Sequence, residues 1–70
     1  MERAKEFYIK CFIKKELFYL FEKDLLKPFL HKGILQRFDT KEAAYKKIIE
    51  LQEIDEALDY KDKEYFIFIL

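Results

Sequence analysis

The sequence predicts an α+β fold: a small antiparallel or mixed sheet of three to four strands with one amphipathic helix on one face, in the order strand, strand, strand, helix, strand. Three observations carry this. From Phe7 to Lys14 every second residue, Phe7, Ile9, Cys11 and Ile13, is apolar while both lysines fall on the other face, the spacing of a pleated strand. Phe38-Asp39-Thr40-Lys41-Glu42 places a short polar residue three positions before a glutamate, the pattern that opens helices. The chain closes on Tyr65-Phe66-Ile67-Phe68-Ile69-Leu70, too short to span a membrane and rich in the residues that strands favour. Seventy residues suffice for one hydrophobic core, so residues 1–70 are read as a single domain.

In the first strand Phe7, Ile9, Cys11 and Ile13 share one face, and Tyr8, Lys10, Phe12 and Lys14 share the other. A second strand is expected over Leu17 to Glu22. Its turn, Lys14-Lys15-Glu16, lacks the Gly or Asn that tight hairpins use, so a single long helix through residues 7–22 is the alternative. Lys23 to Gly33 holds the single Pro and the single Gly and carries Leu25, Leu26, Phe29 and Leu30. It reads as an apolar plug, with Asp24 capping a short helical turn, Pro28 stopping it and Gly33 turning the chain into a third strand, Ile34 to Phe38. Asp39 is then the expected N-cap, with Glu42 at the third helical position. Ala44, Ile48, Leu51, Ile54 and Leu58 form the inward stripe. A helix break near Glu53 is expected, because Asp55, Glu56 and Asp59 would stand at the negative end of the macrodipole. The last strand, apolar on both faces, is expected to be doubly buried.

Fourteen basic and fourteen acidic residues give zero net charge, yet the halves differ. Residues 1–38 hold nine basic and five acidic groups, and residues 39–70 hold five and nine. The first half is therefore basic and the second acidic. One Cys and one His provide neither a disulfide nor a zinc-ligand spacing, so no cofactor and no metal are expected. With no apolar leader in Met1-Glu2-Arg3-Ala4-Lys5-Glu6 and an unpaired Cys11, a cytoplasmic location without a membrane partner is expected.

Catalytic equipment is sparse, and the chain is read as non-enzymatic. Cys11 and His31 are the one candidate nucleophile and base, but Cys11 lies between Ile9 and Ile13 on an inward face, where a thiol behaves as a small hydrophobe. His31 falls in a turn. Asp55 with Glu56, and Asp59 with Asp62, read as surface charges. A single glycine cannot build a phosphate loop.

What the layout does imply is a surface. One helix covers one side of a sheet, while Tyr8, Phe12 and the last strand offer apolar side chains to the other. The plug, a second copy of the chain or a foreign protein could cover that side. For a protein partner, Glu50, Glu53, Glu56, Asp59 and Asp62 would steer the encounter, and Tyr8, Phe12, Tyr60, Tyr65 and Phe66 would anchor it. Two alternatives stand beside this. Tyr8, Lys10, Phe12, Lys14 and Lys15 could stack bases and neutralise phosphates of single-stranded nucleic acid, or the chain could be a structural homodimer.

With a hairpin before it and an aromatic strand after it, Phe38-Asp39-Thr40-Lys41-Glu42-Ala43 resembles the strand-to-helix junction of small single-domain orphan proteins of bacteriophages and mobile elements. That resemblance implies a non-enzymatic inhibitor that blocks a host or defence protein, such as a CRISPR-type complex, by occupying its surface. It assigns no individual residue.

Overall fold

The computed structural model describes residues 6–69. The expected α+β class is what the chain adopts: a four-stranded antiparallel sheet in the order β3-β2-β1-β4, with strands β1 (Phe7–Ile13), β2 (Glu16–Phe21), β3 (Leu25–Lys27) and β4 (Lys63–Ile69) and one helix, α1 (Lys41–Ala57).

The first two strands form the expected hairpin rather than a long helix. Ile13 pairs with Glu16, and the two residues between them, Lys14 (φ 49°) and Lys15 (φ 71°), both adopt left-handed backbone. Two-residue hairpin turns of the type that matches strand twist need positive φ at both central positions. Here lysines accept that conformation without the help of glycine.

The plug and the third strand require correction. The chain leaves β2 through a 3-10 turn, Glu22–Asp24, in which no side chain caps the start. Lys23 (φ 68°) and Asp24 (φ 56°) are both left-handed, so Asp24 reverses the chain instead of capping a helix. The reversal lays Leu25–Lys27 against β2 as β3, pairing Phe21 with Leu25 and Tyr19 with Lys27. Beyond it, Leu30 is 93 % and Ile34 70 % exposed, while Phe29 and His31 lie on Tyr19 and Phe21, so the segment covers only one end of the face opposite the helix. Residues 34–38 form a wedge and not a strand. The Gln36 amide donates to the Leu20 carbonyl (3.0 Å) and the Glu22 amide to the Ile34 carbonyl (2.8 Å), while Phe38 exchanges both backbone bonds with Phe7. The segment thus ties the end of β2 to the start of β1, a role split between two neighbours that leaves no continuous ladder.

The helix begins one residue later than expected. Thr40 is the N-cap, its hydroxyl accepting from the Ala43 amide at 3.1 Å, and Glu42 consequently lies one place too early to complete a capping box. Nor does α1 break at Glu53. It runs to Ala57 and ends in a paired reversal, with the Asp59 amide donating to the Glu56 carbonyl (3.1 Å) and the Tyr60 amide to the Asp55 carbonyl (2.8 Å). This is the Schellman arrangement, with Asp59 (φ 60°) in the left-handed place where glycine is usual.

Ile9, Leu20, Ala44 and Ile48 make the buried core between helix and sheet, flanked by Phe7, Leu26, Phe38, Leu51, Tyr65 and Ile67. The inward stripe of α1 is therefore Ala44, Ile48, Leu51 and Asp55; Ile54 and Leu58, expected inside, are more than half exposed. A further correction concerns β4, which pairs only with β1 and forms an edge, so it is not doubly buried. Tyr65 and Ile67 turn toward the helix layer, and Phe66 is 42 % exposed on the other face. Leu70, which the sequence reading placed in this strand, lies outside the described residues.

Candidate functional site: an uncovered aromatic sheet face

The strand register sets which side chains share the face opposite the helix. Across β1 and β4, Tyr8 stands beside Phe68, Lys10 beside Phe66 and Phe12 beside Glu64. Across β1 and β2, Lys10 stands beside Tyr19 and Phe12 beside Leu17. Alternation then adds Phe21 from β2 and Leu25 and Lys27 from β3. The result is a continuous aromatic layer with Lys10 near its centre.

The rings brace one another. Phe68 packs against Tyr8 and, edge-on, against Tyr19, at 5.6 Å between centroids in both pairs. Phe12 and Phe66 meet edge-on at 5.7 Å. Lys10 Nζ lies 5.6 Å from the centre of the Phe68 ring, within the reach of a cation–π contact. Tyr8 is nearly buried, and its hydroxyl donates to Glu6 at 2.7 Å. This bond and the contact with Arg37 hold the Glu6 carboxyl below its ordinary range, and the same bond raises the Tyr8 phenol. Tyr8 is thus a fixed floor tile, while Phe66 and Leu17 are the more accessible members.

At the β2–β3 end, the loop after Pro28 arches over this layer. Phe29 leans on Tyr19 with centroids 5.4 Å apart, and His31 stands edge-on to Phe21 at 4.8 Å. Between loop and sheet lies a pocket of about 440 Å³, floored by Tyr19, Phe21 and Phe68, walled by Phe29 and His31 and reached by Lys10. Its size falls in the range of about 300–1,000 Å³ typical of ligand sites. Gly33 has a negative φ, so what its lack of a side chain supplies is space: a Cβ there would come within 2.8 Å of the His31 ring and 3.3 Å of Phe21, and the ring would have to turn away.

The sequence-predicted site residues are divided by this geometry. Tyr8, Phe12 and Phe66 belong to the open face. Tyr65 does not; it points to the helix layer, where its hydroxyl donates to Asp55. Tyr60 is exposed in the loop after α1, with Lys63 Nζ 4.9 Å from its ring centre. Glu50, Glu53 and Glu56 lie exposed on α1, in the layer behind the sheet, and Glu50 pairs with Lys47 at 3.0 Å. Asp59 terminates the helix. Asp62 alone of the five acids approaches the aromatic layer: its carbonyl accepts from the Lys14 amide at 3.3 Å, and it lines a shallow depression with Phe12, Lys14 and Lys15. Tyr19, Phe21, Phe29 and Phe68 were missed as site residues. The alternation Leu17, Tyr19, Phe21 within the second expected strand was the signal that could have found the first two.

A second polar constellation sits on the helix side. Asp55, read from sequence as a surface carboxylate, is 8 % exposed and accepts from Lys63 Nζ at 3.0 Å and from the Tyr65 hydroxyl. Burial, reinforced by the bond to Asp55, pushes the Tyr65 phenol well above its ordinary range. Beside them Cys11 is fully buried, and burial pushes its thiol up to about 11, the behaviour of an inert core thiol. Charge pairing of this kind explains why the helix tolerates an acidic last turn: Lys63 supplies the cation that the helix itself lacks there.

Among the described residues, no group of three or more His, Cys, Asp or Glu could hold a metal ion, and no helix is long and apolar enough to cross a membrane. A family model described as the IDEAL domain matches residues 42–67. The match takes in nearly all of α1, its terminal reversal and most of β4, and residues 54–58 read I-D-E-A-L in one-letter code. Its second letter is Asp55, the carboxylate that ties α1 to β4. No curated protein and no solved structure matches the chain.

Proposed function

We propose that this protein is a protein-binding module that docks through its uncovered sheet face and acts by occupying its partner's surface. A single observation carries the reading. Among the described residues, one face of the sheet is closed by α1, and the other presents Phe12, Leu17, Tyr19, Phe66 and Phe68 with only the loop after Pro28 arching over one end. A contiguous apolar patch rimmed by polar groups is the usual mark of an interaction site, and aromatic residues dominate the energetics of such sites. The charges on this side are Lys10, Lys27 and the Lys14-Lys15 turn against Glu64, Asp62 and the Arg37-paired Glu6, and the lysines favour a partner with an apolar centre and carboxylates on its rim. The acids of α1 face away from that interface, so their part is to orient the molecule at long range. Steric occlusion of a host or defence protein is the mode of action this surface suits.

The test compares three forms of the protein as bait in an extract of the source cell, followed by a binding measurement on whatever is captured and purified. Phe66→Lys is expected to weaken the captured partner at least tenfold, and Glu53→Lys with Glu56→Lys to leave it within about twofold. A partner lost with the helix acids but kept with Phe66→Lys would overturn the reading. So would tight, steeply salt-dependent binding of oligonucleotides that requires Lys10, Lys14 and Lys15, or a dimer in light scattering that Phe66→Lys converts to monomer.

A further inference from the structure

The uncovered face is not uniform: at one end it is a flat layer around Phe12 and Phe66, and at the other it deepens into the pocket under Phe29 and His31. We infer that this pocket receives an aromatic side chain flanked by a carboxylate, the anchor of an acidic-aromatic segment of the partner protein. The inference rests on the protein-docking reading above and names the chemistry that reading leaves open.

Three observations support it. The first is shape. The floor of Tyr19, Phe21 and Phe68 and the wall of Phe29 and His31 enclose about 440 Å³, enough for an aromatic ring with its neighbouring backbone. The wall rings stand edge-on or tilted to the floor, at 74° for His31 on Phe21 and 56° for Phe29 on Tyr19, an arrangement that offers an entering ring both a face and an edge.

The second is charge. Lys10 reaches the pocket, Lys27 stands beside Tyr19 in the register, and Lys32 adjoins His31 in the overhanging loop. Among the described residues none of these lysines forms an ion pair, whereas Lys47, Lys61 and Lys63 all do. Among the described residues no carboxylate lines the pocket. An ammonium that lies over an aromatic ring and has no carboxylate partner gains from an anion brought in with the ligand.

The third is construction. Gly33 leaves room for the His31 ring, which an added Cβ would meet at 2.8 Å, and that ring is seated edge-on to the buried Phe21. The wall is thus placed by the packing of His31 on Phe21 and of Phe29 on Tyr19.

The test uses the full chain, labelled with nitrogen-15, and four blocked tripeptides: acetyl-Asp-Phe-Asp-amide, its Asn-Phe-Asn and Lys-Phe-Lys counterparts, and Asp-Ala-Asp. The Asp-Phe-Asp peptide is expected to shift the amides of Tyr19, Gly33 and Phe68 saturably and to bind at least fivefold tighter than Asn-Phe-Asn. Lys-Phe-Lys is expected to bind weakest, and Asp-Ala-Asp to produce no saturable shift. Lys10→Gln should erase the preference for Asp over Asn, and Phe29→Ala, at an exposed loop position, should weaken Asp-Phe-Asp at least threefold without unfolding the chain. Equal affinity for the three phenylalanine peptides, shifts confined to other residues, or no shift at all would overturn the anchor. Such a failure combined with a partner that still depends on Phe66 leaves the docking face standing, and loss of the Phe66 dependence overturns docking itself.

Discussion

Thr40 and Asp39 show how narrow the margin for error is at the scale of one residue. Both are good N-cap residues, and Glu42 makes Asp39 the better match to a capping box. The backbone decides otherwise: Phe38 must pair with Phe7, which holds the chain extended through Thr40 (φ −132°, ψ 155°) and delays the first helical turn by one position. Asp39 is left exposed, near Arg37 at 3.8 Å. Thr40→Ala is therefore expected to lower stability by about 1 kcal/mol, while Asp39→Ala changes it by less than about 0.5 kcal/mol, both read from urea midpoints. The buried thiol and phenol make a second prediction at this scale. Cys11 and Tyr65 keep their protons more tightly in the folded chain than in the unfolded one. Below the unfolded values their contribution is fully present; as pH rises past them, the unfolded chain releases protons that the folded chain retains, and stability falls. The loss begins near the ordinary thiol value of 9.0 and, for Cys11, is complete near 11, amounting to about 2–3 kcal/mol. Urea midpoints should be flat from neutrality to the mildly alkaline range and decline above it. Cys11→Ala should flatten the first part of that decline and Tyr65→Phe the later part, whatever each costs at neutral pH.

Elements were legible where a periodic pattern ran without interruption and obscure where backbone reversals used unexpected residues. The hairpin was readable, with one long helix as the alternative, because Phe7, Ile9, Cys11 and Ile13 recur at period two, and its turn was not, because two lysines occupy positions where Asn-Gly is the usual signal. The helix start was readable to within one residue. Its end was not, since the terminal reversal uses Asp59 in place of glycine and the acidic last turn is compensated by Lys63, a residue six positions beyond Ala57. Asp55 was the least legible of all: the spacing of Ala44, Ile48 and Leu51 puts it next on the inward stripe, but a carboxylate there reads as an exposed charge until Lys63 and Tyr65 are seen to meet it. The same residue yields the sharpest test of how α1 holds β4. Asp55→Ala strips the acceptor from a lysine and a phenol whose surroundings are largely closed to water, and is expected to cost about 2–4 kcal/mol. Tyr65→Phe removes one of the two bonds and should cost about 1 kcal/mol. Equal losses for the two substitutions would place the stabilisation in the phenol and not in the carboxylate.

At the scale of the whole molecule, the lopsided charge of the sequence becomes a difference between layers. The basic first half supplies β1, β2 and β3, hence Lys10, Lys14, Lys15 and Lys27 at the open face, and the acidic second half supplies the helix behind it. The apolar character of the second sheet face was readable from Tyr8, Phe12 and the aromatic last strand. What could not be read was that Glu50, Glu53 and Glu56 would fall on the side opposite Phe12 and Phe66, because that depends on the register of β1 against β4 and on which side α1 crosses. The separation changes what charge reversal should do. Were the acids of α1 part of the contact surface, Glu53→Lys with Glu56→Lys would weaken binding of an acidic-aromatic ligand to the sheet face. With the acids behind the sheet, the reversal removes distant repulsion of the ligand's carboxylates. Affinity for acetyl-Asp-Phe-Asp-amide at low salt should therefore stay the same or rise by up to about threefold, and the difference should vanish as added salt shortens the Debye length toward about 3 Å at 1 M. A loss of more than fivefold, persisting in high salt, would show that the helix acids touch the ligand and that the two layers are not separate surfaces.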